Sequence, residues 1–157
     1  MKLEKKAIRL LKKFKKTISV AESCTGGLLA QRLTSVPGAS RVFGFGVVTY
    51  SAEAKQRLLK IPPALIKKQG QVSKETALAM AESIQRLSQS DYAISITGVA
   101  GPSGGTRQKP VGTVYLSLIS PKARHIKKCL LAGKRNQIRQ KTTTLALNWL
   151  CEILNKS

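Results

Sequence analysis

The stretch Ile18-Ser19-Val20-Ala21-Glu22-Ser23-Cys24-Thr25-Gly26-Gly27 decides the fold. Its apolar start, Ile18 to Ala21, reads as a buried strand, and a helix is predicted from Gly26 to Thr34. A related pattern lies downstream. Tyr92 to Ile96 reads as a strand and runs into Thr97-Gly98-Val99-Ala100-Gly101-Pro102-Ser103-Gly104-Gly105. Glycines and hydroxyls at strand ends let backbone N–H groups approach an anionic or polar ligand closely. A strand, a glycine-rich turn and a helix in succession point to an α/β protein with a small-molecule site.

The rest of the chain continues the alternation. Leu3, Ala7, Leu10, Leu11 and Phe14 recur at helical spacing, so residues 2–16 read as an amphipathic helix. Val42 to Tyr50 reads as a strand in which Gly44 and Gly46 predict a bulge or a close backbone approach. Ser51 and Ser73 are placed to cap the two helices that follow, with Pro62-Pro63 interrupting the first. Val111 to Ile119 reads as a strand and Ile126 to Leu131 as an edge strand. A last helix from Lys134 to Leu154 puts Ile138, Thr142, Leu145, Trp149 and Ile153 on one face. Strands and helices that alternate over short connections argue for a layered α/β fold. Ligands in such folds sit at the carboxyl ends of the strands. Ser23, Tyr50 and Thr97 fall at three such ends, and parallel strands would bring them together.

Length and composition set bounds. With 157 residues the chain is expected to form one domain, residues 1–157, with a real core. No apolar run approaches the roughly 20 residues of a membrane span, and Met1 to Lys16 lacks the features of a signal peptide. Cys24, Cys129 and Cys151 have no CxxC spacing and are odd in number, which fits a reducing cytoplasm. Nothing has metal-ligand spacing, and no metal or cofactor is expected. His125, the single histidine, sits in a basic stretch and reads as a surface residue. The balance is strongly basic, with 28 Lys and Arg against 7 Asp and Glu. Aromatic residues are few and not interleaved with the cations, so specific nucleic-acid binding is not expected. A positive field would still attract a phosphorylated metabolite.

Ser23, Cys24 and Thr25 are all candidate nucleophiles. No histidine is placed to serve a Ser-His-Asp triad, so a serine here needs another base. Lys55 follows Tyr50 by five residues at a strand-to-helix turn. A lysine desolvated in a pocket loses its proton near neutral pH and accepts one from a serine. Tyr50 would relay that proton or hold the lysine. The N–H groups of Thr25 to Gly27 would form an oxyanion hole. The competing reading makes Ser23 and Thr25 plain helix caps, Cys24 a buried filler and Lys55 a surface lysine. Glu22 either binds substrate hydroxyls, orders its loop or pairs with a cation. Arg135 and Arg139 share a face at the start of the last helix, either as a two-pronged phosphate grip or as part of the basic surface.

Five segments carry a resemblance: AESCTGG (21–27), VVTYSAEAK (47–55), Val72-Ser73, SITGVAGPSGG (95–105) and KPVGTVYL (109–116). In this order they resemble the CinA C-terminal domain family, from about residue 4 to residue 154. Its stand-alone members are nicotinamide-nucleotide amidases of the PncC type. The resemblance implies a three-layer α/β/α sandwich with a mixed, mostly parallel sheet. It implies metal-independent hydrolysis of nicotinamide mononucleotide to nicotinate mononucleotide and ammonia in pyridine nucleotide salvage, by a homodimer. It also implies Ser23, Tyr50 and Lys55 as the catalytic set. Glu22, Thr25, Gly26, Gly27, Thr97, Gly98, Ala100, Gly101, Arg135 and Arg139 fall in its substrate-contacting regions. Family members often carry Gly-Asp-Arg where this chain has Gly133-Lys134-Arg135. The alternatives are a non-catalytic nucleotide- or partner-binding domain of the same fold, and a basic nucleic-acid-associated competence protein.

Overall fold

The computed structural model describes residues 1–156; Ser157, the last residue of the expected domain, lies outside them. Helix α1 (Leu3–Lys13) leads into strand β1 (Ile18–Glu22), helix α2 (Leu28–Thr34) and strand β2 (Phe43–Val48). Helices α3 (Ala52–Leu59), α4 (Pro63–Gln69) and α5 (Lys74–Ser88) precede strand β3 (Tyr92–Gly98). Strands β4 (Thr113–Ile119) and β5 (Arg124–Leu130) follow, and α6 (Arg135–Asn155) ends the described chain. Among the described residues, no helix is long and apolar enough to cross a membrane.

The sheet order is β2-β1-β3-β4-β5. β1 pairs in parallel with β2 and β3, whereas β4 is antiparallel to both its neighbours. Four strands therefore share one direction and β4 opposes them. The expected bulge falls at Gly44: Ile18 registers with Phe43 and Ser19 with Phe45, so Gly44 is passed over.

Strand alternation sorts the side chains into two layers. Ile18, Val20, Tyr92, Ile94, Ile96, Val114, Leu116 and Leu118 pack on one side with residues of α1, α2 and α6. Ala21, Ala93 and Ile119 pack on the other with Ile66 of α4 and with Met80, Ala81 and Ile84 of α5. Small residues on this second face let α5 lie close, and Ser95 Oγ donates to the Ala77 carbonyl. The result is the three-layer α/β/α sandwich. Ser51 and Ser73 cap α3 and α5 as expected, each accepting from a backbone N–H three residues on.

One predicted face needs correction. Leu145 of α6 is exposed, while Ala146, Leu147, Leu150 and Leu154 are buried together with Ile138, Thr142 and Trp149. α6 packs against α1, α2 and β4 together, so its buried stripe is wider than the single row drawn from spacing.

Candidate active site

The pleat of β1 separates Glu22 from Ser23. Glu22 turns under α2. Its carboxylate accepts from the N–H groups of Leu29 and Ala30 at 3.0 and 2.8 Å and from Thr25 Oγ1 at 2.6 Å. A carboxylate at a helix N-terminus satisfies donors that the helix leaves unpaired. Glu22 and Thr25 are both buried, at 1% and 0% exposure, and neither lines the cavity described below. Glu22 thus takes the loop-ordering place rather than one beside a ligand.

Ser23 emerges on the opposite face. Its N–H donates to the Ile96 carbonyl at 3.0 Å, and its own carbonyl accepts from Gly26 N–H at 2.9 Å. Gly26 and Gly27 both have positive φ, at 58° and 93°, so the chain turns abruptly from β1 into α2. The Gly26 amide is spent on this turn, which removes it from the oxyanion hole expected over Thr25 to Gly27.

Lys55 projects from α3 to meet Ser23. Its Nζ donates to Ser23 Oγ at 3.0 Å and to the Thr49 carbonyl at 2.7 Å. Lys55 is fully buried, and burial lowers its pKa from 10.5 to about 8. Tyr50 does not stand between them. Its hydroxyl accepts from Arg135 Nη2 at 2.6 Å, so the expected proton relay through Tyr50 is absent from this arrangement. Lys55 reaches the serine directly. Cys24 sits beside this pair, and burial pushes its thiol up to about 11, which leaves it protonated at neutral pH.

A cavity of about 250 Å³ opens above Ser23. Thr97, Gly98, Ala100 and Gly101 line it together with Tyr50 and Arg135. Arg135 Nη1 donates to the Gly101 carbonyl at 2.7 Å, so its guanidinium ties the loop after β3 to Tyr50. Thr97 Oγ1 donates to the Gln71 carbonyl at 2.8 Å and pins the segment before α5. Close packing dictates two of the wall glycines. A Cβ on Gly98 would stand 2.8 Å from the Thr113 carbonyl, and one on Gly101 2.5 Å from a Val111 methyl. Arg139 lies off the cavity and donates to the Thr25 carbonyl at 3.0 Å, so the two arginines do not form a joint grip here.

The structure therefore brings Ser23, Lys55, Tyr50, Thr97, Gly98, Ala100, Gly101 and Arg135 together. Glu22, Thr25, Gly26, Gly27 and Arg139 build the turn beside them. Ser103 and Gly104 of the glycine-rich segment also line the wall, while sequence reasoning assigned no site role to Gln71 and Val72 on the wall or to Thr49 beneath it. Thr49 and Val72 carried a signal as members of quoted segments, and Gln71 carried none. Thr49 Oγ1 is buried with no hydrogen-bond partner among the described residues. Also among them, no three His, Cys, Asp or Glu side chains gather as a metal cluster.

This architecture has solved counterparts. A CinA superfamily protein from Klebsiella pneumoniae superposes with a TM-score of 0.95 at 30% identity, over 99% of this chain and 97% of the other. The competence/damage inducible protein CihA from Agrobacterium tumefaciens gives 0.90 at 37% identity, over 98% and 95%. In sequence, a putative competence-damage inducible protein of Thermoanaerobacter pseudethanolicus is 48% identical over 146 residues, 93% of this chain and 35% of that protein. A CinA-like protein of Geobacter sulfurreducens is 48% identical over 142 residues, 90% of this chain and 34% of the other. The chain spans about a third of the length of these curated relatives. The family model for the CinA C-terminal domain matches residues 1–154, and the chain belongs to that family.

Proposed function

We propose that this domain is a nicotinamide-nucleotide amidase, hydrolysing nicotinamide mononucleotide to nicotinate mononucleotide and ammonia. The observation that carries the reading is the direct contact between Ser23 Oγ and the buried Lys55 Nζ at 3.0 Å. Membership of a family that includes such amidases supports it.

Lys55 in its neutral form takes the Ser23 proton as Oγ attacks the carboxamide carbon. The remaining amides of the turn after Ser23 stabilise the oxyanion. The Lys55 ammonium then returns its proton to the departing nitrogen, and ammonia leaves an acyl-enzyme. Water, deprotonated by neutral Lys55, attacks the ester carbon, and Ser23 regains its proton. Arg135 holds the substrate phosphate, with Tyr50 orienting the guanidinium through their 2.6 Å hydrogen bond. The glycine wall lets the pyridine ring lie against the backbone.

The test is ammonia release from nicotinamide mononucleotide by the wild-type chain and by Ser23→Ala. Wild-type turnover with none from Ser23→Ala is expected. Equal release from both would move the nucleophile away from Ser23. The proposal extends to a homodimer, which the exposed Phe45 and Val48 on the uncharged edge strand β2 support. Sedimentation at catalytic concentrations reads this directly.

A further inference from the structure

A second cavity adjoins the first. It measures about 510 Å³ and lies between the loop after β3 and the start of α6. Pro102 and Val111 give it apolar lining, and the exposed Lys134 lines it as well. Ala100 and Arg135 belong to both cavities. Arg135 stands at the boundary, with its guanidinium held by the Gly101 carbonyl and Tyr50. Catalytic cavity, Arg135, apolar groove and Lys134 are thus contiguous. The groove is built from the segments 95–105 and 109–116 and from the start of α6.

We propose that this groove is a second nucleotide subsite, so that the whole cleft takes a pyrophosphate-linked nicotinamide dinucleotide. The inference rests on the catalytic cavity being a nicotinamide site. A mononucleotide ends at the phosphate on Arg135. A dinucleotide continues through a second phosphate to a ribose and a flat base. Lys134 supplies the cation for the second phosphate, and the proline ring with the valine methyls supplies a surface for the base. The dinucleotide competes with the mononucleotide, because both place their nicotinamide over Ser23.

Calorimetric titration on the Ser23→Ala chain, which cannot turn ligand over, tests this with three probes. They are nicotinamide mononucleotide, nicotinamide adenine dinucleotide and adenosine diphosphate. The dinucleotide should bind at least about tenfold tighter than the mononucleotide and displace it. Adding Lys134→Asp should erase that advantage and leave the mononucleotide Kd within about threefold, since Lys134 does not line the catalytic cavity. Aspartate is also a favoured residue at a helix start, so this variant folds. A dinucleotide that binds no tighter than the mononucleotide, or equal weakening of both by Lys134→Asp, overturns the proposal. Adenosine diphosphate separates the two readings, because it carries no nicotinamide. If it binds in a Lys134-dependent way while the mononucleotide does not bind, the groove stands and the amidase reading fails. If it does not bind, the groove fails whatever the mononucleotide does.

Discussion

Replacing Lys55 by Met tests the base and the energetics together. Methionine keeps the length of the stem and removes the amine. In the folded chain Lys55 gives up its proton near 8 because burial disfavours the charge, while in the unfolded chain it does so near the ordinary 10.5. Between those values the unfolded chain holds the extra proton, so this site makes stability rise with pH. Below 8 the cost of burying the cation is fully present; above 10.5 it is gone. The fall from 10.5 to about 8 corresponds to about 3 kcal/mol. Other lysines also lose charge over this range, so the informative quantity is the difference between wild type and Lys55→Met. Denaturant unfolding at a series of pH values should show that difference growing by about 3 kcal/mol in favour of the wild type from about pH 7 to about pH 11. The variant should also lose ammonia release by about a thousandfold. Wild-type kcat/KM should climb as pH rises toward 8 and level above it, following the neutral amine. A stability difference that stays flat across this range would mean that Lys55 keeps its ordinary pKa in the folded protein, and the base mechanism would fall with it.

The remaining predictions concern neighbours of the pair. Arg135→Ala should raise KM for nicotinamide mononucleotide by about 10- to 100-fold with a smaller change in kcat, and should leave the unphosphorylated riboside nearly unaffected. An equal effect on both substrates would refute the phosphate role. Cys24→Ser should keep most of the amidase activity, and iodoacetamide at neutral pH should leave Cys24 unmodified, because burial holds the thiol near 11. Rapid labelling coupled to inactivation would contradict this. Glu22→Gln turns an amide N–H toward donors that now meet carboxylate oxygens, so it should cost about 3 kcal/mol in guanidinium unfolding. A cost below about 1 kcal/mol would show that the carboxylate does not organise the turn.

Much of the architecture could be read from local chemistry. Ser23, Tyr50 and Thr97 were traceable because each sits where an apolar run stops, and parallel pairing of β1 with β2 and β3 then gathers them. The bulge at Gly44 followed from glycines inside a strand. The contact between Lys55 and Ser23 was not available from spacing. It depends on how far α3 is rotated against the sheet, and a lysine on a short polar helix otherwise reads as solvated. Glu22 and Ser23 are adjacent in sequence, yet the pleat sends one to a helix terminus and the other to the cavity. Nothing in the residue types reveals which goes where. Tyr50 and Arg135 are 85 positions apart, and their hydrogen bond appears only once α6 has packed across the sheet edge. The mistaken Leu145 face of α6 has the same origin, since several packing partners widened a stripe that spacing alone had drawn narrow.

The seclusion of Lys55 has a practical corollary for handling the protein. Most of the amines lie on the surface, many of them along α1 and β5, whereas the one beside Ser23 has no solvent exposure. Reagents that seek out amines, such as activated esters or aldehyde resins, will meet the outer lysines first. The domain can therefore be tethered to a solid support through its abundant basic exterior while the amine beside Ser23 stays unmodified.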